Sequence, residues 1–203
     1  MKLNFAERLL VNNDIRTAVQ RFYEGPLLRR LGGTLRGGTA LEIGCGRGAG
    51  LEVILRQFDA AHVCGVDLDP LQIERARRRL QVQYAGRATL MQGDAERLPF
   101  ADMSFDAVFD FGALHHVPDW QRGVAEIRRV LKPGGTFFFE EVTRAALERW
   151  IYRRLLEHPT ENRFSEFEFM TEAGNHGLKP AAPLRRIFFG DIFIGVAKLS
   201  SPS

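Results

Sequence analysis

The sequence predicts an α/β fold, a doubly wound and mainly parallel sheet with helices on both faces. Three observations predict it. Short apolar runs alternate with helix-periodic segments from about Thr39 onward, the first run enters a glycine turn, and three successive runs carry an aspartate at or near their exit. Strands separated by helices assemble most simply as a parallel sheet covered on both sides. With 203 residues and 45% hydrophobic content, the chain can bury one sizeable core and is too short for two full domains.

Residues 1–38 precede the first strand. Phe5, Leu9, Val19, Phe22 and Leu27 suit one or two helices, lying over a ligand as a lid or packing as ordinary core helices. The run Leu41-Glu42-Ile43 then passes into Gly44-Cys45-Gly46-Arg47-Gly48. Glycines there let the backbone turn tightly and bring bare amides to a ligand that a Cβ would block. A helix over 49–58 adds its unpaired N-terminal amides at the same place.

The second strand, Val63-Cys64-Gly65-Val66-Asp67, ends in an acid about 20 residues past the glycine turn, where a carboxylate can accept from ribose hydroxyls. Asp69-Pro70 supplies the cap and first position of a helix over 70–84, which leaves Asp67 for a ligand. Thr89 to Asp94 and Phe105 to Phe111, with Asp110, repeat the strand-and-acid design. Helices follow over 119–131 and 143–157. Leu184 to Phe189 and Ile192 to Leu199, around Gly190-Asp191, read as a closing hairpin, and Ser200 to Ser203 as a frayed tail.

Five motifs now stand in order: Leu41-Glu42-Ile43-Gly44-Cys45-Gly46-Arg47-Gly48; Gly65-Val66-Asp67-Leu68-Asp69-Pro70; Gly93-Asp94-Ala95-Glu96-Arg97-Leu98-Pro99-Phe100; Ser104-Phe105-Asp106 through Leu114-His115-His116-Val117; and Val130-Leu131-Lys132-Pro133-Gly134-Gly135. Over about residues 39–142 this series resembles the class I S-adenosylmethionine-dependent methyltransferases. Within them it resembles the small-molecule type, with a type 11 methyltransferase domain, that includes the ubiquinone/menaquinone-biosynthesis enzymes. The chain is shorter than those quinone enzymes, which leaves their acceptor uncertain for this one.

The resemblance implies a Rossmann-like sheet of seven strands, the last antiparallel, with residues 39–203 as the cofactor-binding domain and 1–38 as a helical lid segment. It implies S-adenosylmethionine as cofactor, S-adenosylhomocysteine as product and no metal. Gly44, Cys45, Gly46 and Gly48 would then flank the methionine carboxylate and the ribose. Asp67 would bind the ribose diol, Leu68 would pack on adenine, and Gly93, Asp94 and Ala95 would meet the adenine edge. Glu42 would fix the turn or receive the methionine amine through water, while Asp110 and Phe111 would present backbone to the amino-acid end.

A dinucleotide site competes locally, because Gly44, Gly46 and Ala49 also satisfy G-x-G-x-x-A and Asp67 could hold an NAD ribose. Gly-Asp-Ala and Lys-Pro-Gly-Gly have no dinucleotide role and favour the methyl-donor reading. A catalytically silent protein that binds S-adenosylmethionine and controls a partner is a further alternative. An aminopropyl transferase would want more acids than Asp110-Phe111-Gly112-Ala113 provides.

Methyl transfer from a sulfonium needs mainly in-line placement in a dry site, with a base where the acceptor is a phenol or an enol carbon. His115 and His116 follow the fourth strand and are the candidate catalytic bases, or else wall residues. Glu140 and Glu141 are alternatives, of which strand alternation lets only one point inward. No Asn/Asp-Pro-Pro-Tyr stands after the fourth strand, which disfavours methylation of base or amide nitrogens. The expected acceptor is a small organic molecule methylated on carbon or oxygen, in a pocket for which Trp150, Tyr152, Phe164, Phe167, Phe169 and Met170 are candidates, as they are for core packing.

The net charge of +3 is small. The arginine clusters at 29–30, 75–79, 128–129, 153–154 and 185–186 lack interleaved aromatics and sit near glutamates, so solvated helix faces are expected and nucleic acid is not. No apolar run approaches a membrane span, and the first residues lack a signal-peptide core, so a cytoplasmic chain without membrane insertion is expected. Cys45 and Cys64 suit free thiols there. The expected state is a monomer or homodimer.

Overall fold

The computed structural model describes residues 14–147 and 162–200. Eight strands among them form one sheet: β1 Thr39–Ile43, β2 His62–Asp67, β3 Ala88–Gln92, β4 Phe105–Phe111, β5 Leu131–Val142, β6 Leu178–Pro180, β7 Arg185–Ile187 and β8 Ile192–Leu199. The order is β3-β2-β1-β4-β5-β8-β6, and β7 also pairs with β8. The first five run parallel, and β8 returns antiparallel along β5 and β6. The mostly parallel, doubly wound sheet agrees with expectation, with one short strand more than the seven foreseen. The expected hairpin forms, although β7 stops at Ile187. Phe188 and Phe189 take φ of 50° and 60°, which cannot continue a ladder, and the chain turns there instead.

The helices are α1 Asp14–Val19, α2 Gly25–Gly32, α3 Ala49–Gln57, α4 Pro70–Leu80, α5 Trp120–Val130, α6 Arg144–Leu147 and α7 Glu166–Asn175, with a π turn over Gln20–Glu24 between α1 and α2. Helix α4 opens as the sequence indicates, with Asp69 Oδ1 accepting from Leu71 N at 3.0 Å and Pro70 at its first position. It ends before 84 because the chain curls there and buries Tyr84. The expected helix over 143–157 is seen as α6, and the rest of that span, with Trp150 and Tyr152, lies outside the described residues.

Strand alternation sorts side chains onto two faces, and both are covered. Ala40, Phe109, Phe138, Ile194 and Val196 pack beneath the helices of residues 25–32, 49–57 and 70–80. Leu41, Val108, Phe137, Phe139 and Phe193 pack beneath α5 and α7. On the first face Phe109 and Phe138 stack at 4.5 Å, with Phe58 edge-on to both. On the second, Phe169 meets Trp120, Phe139, Phe164 and Phe193. Phe164 and Phe169 are therefore core residues, Met170 packs against the same cluster, and Phe167 is exposed. Of the two roles open to these aromatics, Phe164 and Phe169 thus take core packing and do not line an acceptor pocket.

A bulge and an ion pair across it complete the frame. Lys132-Pro133-Gly134-Gly135 is a bulge inside β5, where pairing with β4 jumps from Leu131 to Thr136. Lys132 Nζ reaches Asp106 Oδ1 at 2.8 Å across it.

Phe109 is fully buried between two other rings. Phe109→Ala is expected to lower unfolding free energy by about 3–5 kcal/mol, measured as a shifted urea midpoint; a loss below about 1 kcal/mol would show that this face of the sheet is not close-packed.

Candidate functional site

The strand order reverses between β1 and β4, and in open α/β sheets that switch point carries the ligand crevice. A cavity of about 420 Å³ opens there, at the carboxyl ends of β1, β2 and β4. Ten of the twelve predicted cofactor residues line it: Glu42, Gly44, Cys45, Gly46, Asp67, Leu68, Gly93, Asp94, Ala95 and Phe111. Gly48 and Asp110 do not. Gly48, at φ +85°, packs against Ala76 of α4, so its missing Cβ serves helix packing. The Asp110 side chain is wholly buried on the face opposite Phe111, with Oδ1 accepting from Ala113 N at 2.7 Å. The strand alternation that aims Phe111 at the cavity turns Asp110 away from it.

The glycine turn is tied to β2 by one carboxylate. Asp67 Oδ2 accepts from Gly46 N at 2.8 Å, and its Oδ1 from Asp69 N at 2.9 Å. A Cβ on Gly46, at φ +50°, would meet no protein atom within 4 Å. That turn faces the open cavity. Burial pushes the Asp67 carboxyl above its ordinary value, and the two backbone donors oppose the rise.

Glu42 lies beneath the turn, 2% exposed, with Oε2 lacking any partner among the described residues. A Cβ on Gly50 would collide with its carboxyl, so the sequence leaves room for an acid there. Burial pushes Glu42 well above its ordinary value, and the charges of Asp67 and Asp110 add to the rise. A buried, unpartnered acid costs free energy that a cationic or donor-bearing ligand recovers. The same geometry weakens the dinucleotide reading. A pyrophosphate needs the turn amides and no nearby acid, whereas here Gly46 N is committed to Asp67 and Glu42 sits underneath.

The histidines separate. His116 lines the cavity with Val117 and Pro118, whereas His115 does not. His115 Nδ1 is hydrogen-bonded to Glu141 Oε2 at 2.6 Å, and Glu141 Oε1 accepts from Leu114 N at 2.8 Å. Glu141 thereby holds the Leu114–His116 turn that presents His116. Burial pushes the Glu141 carboxyl up to about 7. Glu140 and Glu141 lie on opposite faces as alternation requires, yet both are buried, because the sheet is covered on each side.

Among the lining residues that were not foreseen are Arg16, Gln20 and Gln72. Arg16 binds Glu24, Glu140 Oε2 at 2.7 Å and the Phe111 carbonyl at 3.2 Å, joining the N-terminal helical segment to the tips of β4 and β5. Burial and the neighbouring Glu140 charge push the Glu24 carboxyl up to about 9, against the pull of Arg16. Nothing in the spacing of residues 1–38 marked Arg16. Gln72 could have been found as a polar residue on the buried face of α4, beside Ile73 and Ala76.

Away from the cavity, Arg77 and Arg78 pair with Glu74, Arg79 with Glu52, Arg129 with Glu126 and Arg186 with Glu166, as expected of solvated faces. Cys45 and Cys64 are free thiols. Among the described residues no group of three or more His, Cys, Asp or Glu could hold a metal ion, and no helix is long and apolar enough to cross a membrane.

Residues 41–139 match the methyltransferase domain family model. The chain is 39% identical over 107 residues to a fatty-acid O-methyltransferase of Mycolicibacterium smegmatis, covering 53% of this chain and 38% of that protein. It is 37% identical over 108 residues to a phthiotriol/phenolphthiotriol dimycocerosates methyltransferase of Mycobacterium leprae, covering 53% and 39%. The match thus spans under two fifths of the length of these curated relatives. A Haloferax volcanii chain solved in complex with the Trm112 methyltransferase activator superposes with a TM-score of 0.79 at 18% identity, covering 98% of this chain and 99% of that one. An Aquifex aeolicus S-adenosylmethionine-dependent methyltransferase gives 0.76 at 17% identity, covering 98% and 100%. These two likenesses are of fold.

Glu24 makes stability depend on pH. Between its ordinary value of 4.5 and about 9, the folded chain keeps a proton that the unfolded chain has lost, so stability falls as pH rises through that window. Glu24→Gln is expected to flatten this decline in thermal melts from pH 5 to 9; an unchanged slope would assign the dependence to other groups.

Proposed function

We propose that this chain is a class I S-adenosylmethionine-dependent methyltransferase that transfers a methyl group to carbon or oxygen of a small, lipid-like organic acceptor, a reading supported by the methyltransferase domain match over residues 41–139. The observation that carries the cofactor reading is the acidic crevice under the glycine turn, with Glu42 unpartnered and Asp67 already holding the turn. Those groups fit a ligand that brings an ammonium and hydroxyls.

S-adenosylmethionine, when bound, supplies a methyl on a positively charged sulfur that is already activated for displacement. What remains for the protein is placement and exclusion of water. Asp67 accepts from the ribose hydroxyls, Leu68 covers the adenine, and Asp94 with Ala95 meets its edge. Glu42 receives the ammonium, and Phe111 walls the amino-acid end. The helical segment from Asp14 to Gly32 serves as a lid, a reading supported by Arg16 and Gln20 on the cavity wall; residues 1–13, with Phe5 and Leu9, lie outside the described residues.

On the acceptor side His116, carried on a turn fastened by Glu141, removes a proton from an acidic acceptor. His115 holds that turn and does not reach the cavity. The lipid-like class rests on the relatives' names, which include a fatty acid and phthiotriol.

Calorimetric titration with S-adenosylmethionine, S-adenosylhomocysteine and NAD tests the cofactor: binding of the first two alone supports the proposal, and binding of NAD alone removes it. A screen of fatty acids, hydroxylated lipids and phenols with labelled methyl donor then identifies the acceptor.

Asp67→Ala is expected to weaken S-adenosylhomocysteine binding by about 1–3 kcal/mol, with calorimetry as the check; undiminished affinity would remove Asp67 from the site. With an acceptor in hand, His116→Gln should lower kcat and flatten the pH–rate profile while cofactor affinity stays constant. A pH profile that survives in His116→Gln would exclude it as the base.

A further inference from the structure

The helical segment from Asp14 to Gly32, made of α1, the π turn and α2, has two sides of opposite character. Arg16 and Gln20 face inward and wall the cavity. Ile15, Val19, Phe22 and Tyr23 are exposed, Ile15 at 74% and Phe22 at 72%, and steps of three and four residues set them along one outward stripe. Exposed beside them are Arg21, Arg29 and Arg30, with no carboxylate partner among the described residues. The two acids of the segment do not offset these charges, because Asp14 pairs with Arg47 and Glu24 is buried against Arg16. An apolar stripe bordered by cations is the pattern of a helix that lies in the surface of an anionic lipid layer.

A second element adds apolar side chains at the cavity end of the sheet. Strand β5 runs parallel to β4, and β4 to β1, so β5 ends there, at Val142. Ile192 pairs with Val142, and Thr143 N donates to the Asp191 carbonyl at 2.8 Å, which puts the turn of residues 188–190 at that end too. Phe188 is 66% exposed and Phe189 fully so, both with φ in the left-handed region, where a bulky side chain crowds its own backbone. Strain kept at an exposed pair of rings points to a use for them. Arg185, at the start of β7, is exposed and likewise without a carboxylate partner among the described residues.

We propose that the outward side of Asp14–Gly32 and the Phe188-Phe189 turn dock the chain on an anionic lipid surface, bringing the cavity mouth to a lipid-like acceptor held there. The apolar side chains enter the acyl boundary while Arg21, Arg29, Arg30 and Arg185 meet headgroup charges. The purpose of docking rests on the acceptor reading given under Proposed function; the binding itself does not.

The test is co-sedimentation of the full chain with phosphatidylcholine vesicles and with vesicles that also contain phosphatidylglycerol, read without cofactor or acceptor. Wild type is expected to bind only the anionic vesicles and to leave them as salt rises. The triple variant Arg21→Gln, Arg29→Gln, Arg30→Gln should bind on the order of a hundredfold more weakly. The pairs Phe188→Ser with Phe189→Ser, and Ile15→Ser with Phe22→Ser, should each lose about tenfold, with Tm unchanged because these side chains are exposed. Met103→Ser, exposed at the opposite end just before β4, should bind as wild type does. No wild-type binding to anionic vesicles, an equal loss in Met103→Ser, or no loss in any variant would overturn the docking. So would a wild-type dimer that the Ile15 and Phe22 pair splits, since the face would then belong to a second copy. Wild type that docks yet binds no S-adenosylhomocysteine would support the docking and overturn the cofactor reading alone.

Discussion

The hydrogen bond from Gly46 N to Asp67 at 2.8 Å carries the joining of β1 and β2, already made by their ladder and by Cys45 N to the Val66 carbonyl, out into the glycine turn. It holds the glycine turn open over the end of β2, sets the floor of the cavity, and leaves the start of α4 beside the turn. Once Asp67 is committed to backbone, Glu42 Oε2 and both ends of the Gln72 amide stand without a partner among the described residues, in residues that line the cavity. A fold that buries an acid and an amide without partners is incomplete in its polar accounting. The ligand proposed above, bearing an ammonium and hydroxyls, would complete it.

The two covered faces treat their acids differently. On one, Glu24 and Glu140 share Arg16, and that cluster fastens the N-terminal helical segment to the cavity rim. On the other, Glu141 takes His115 and the Leu114 amide, and that cluster shapes the turn carrying His116. Both sit in the low-dielectric interior, where an acid is kept only by partners that neutralise or hydrogen-bond it. The cavity is therefore bounded on two sides by charge clusters whose members come from distant parts of the chain.

Much of the site was legible because its residues follow one another along strand exits. The glycine turn, Asp67, Asp94 and the Asp69 cap are local patterns of backbone conformation and hydrogen bonding, and they lie where the spacing put them. Asp110 and Gly48 stand off the cavity wall for a physical reason. An acid near a strand end faces whichever side the two-residue period dictates, and a glycine in a turn can serve packing as readily as ligand approach. Phe164 and Phe169 stood open between pocket and core, because composition names aromatic rings without saying which surface they pack against.

By itself the sequence determined the alternation of strands and helices, the doubly wound sheet and the cofactor-side motifs, since these depend on periodicity, turn chemistry and capping within a few residues. Only the tertiary structure decided that His116 lines the cavity while His115 turns to Glu141, that Arg16 closes the rim through Glu24 and Glu140, and that the Gln72 amide has no partner among the described residues. Those outcomes depend on contacts between residues as much as 124 positions apart, and no local pattern encodes which buried polar groups meet when the sheet closes.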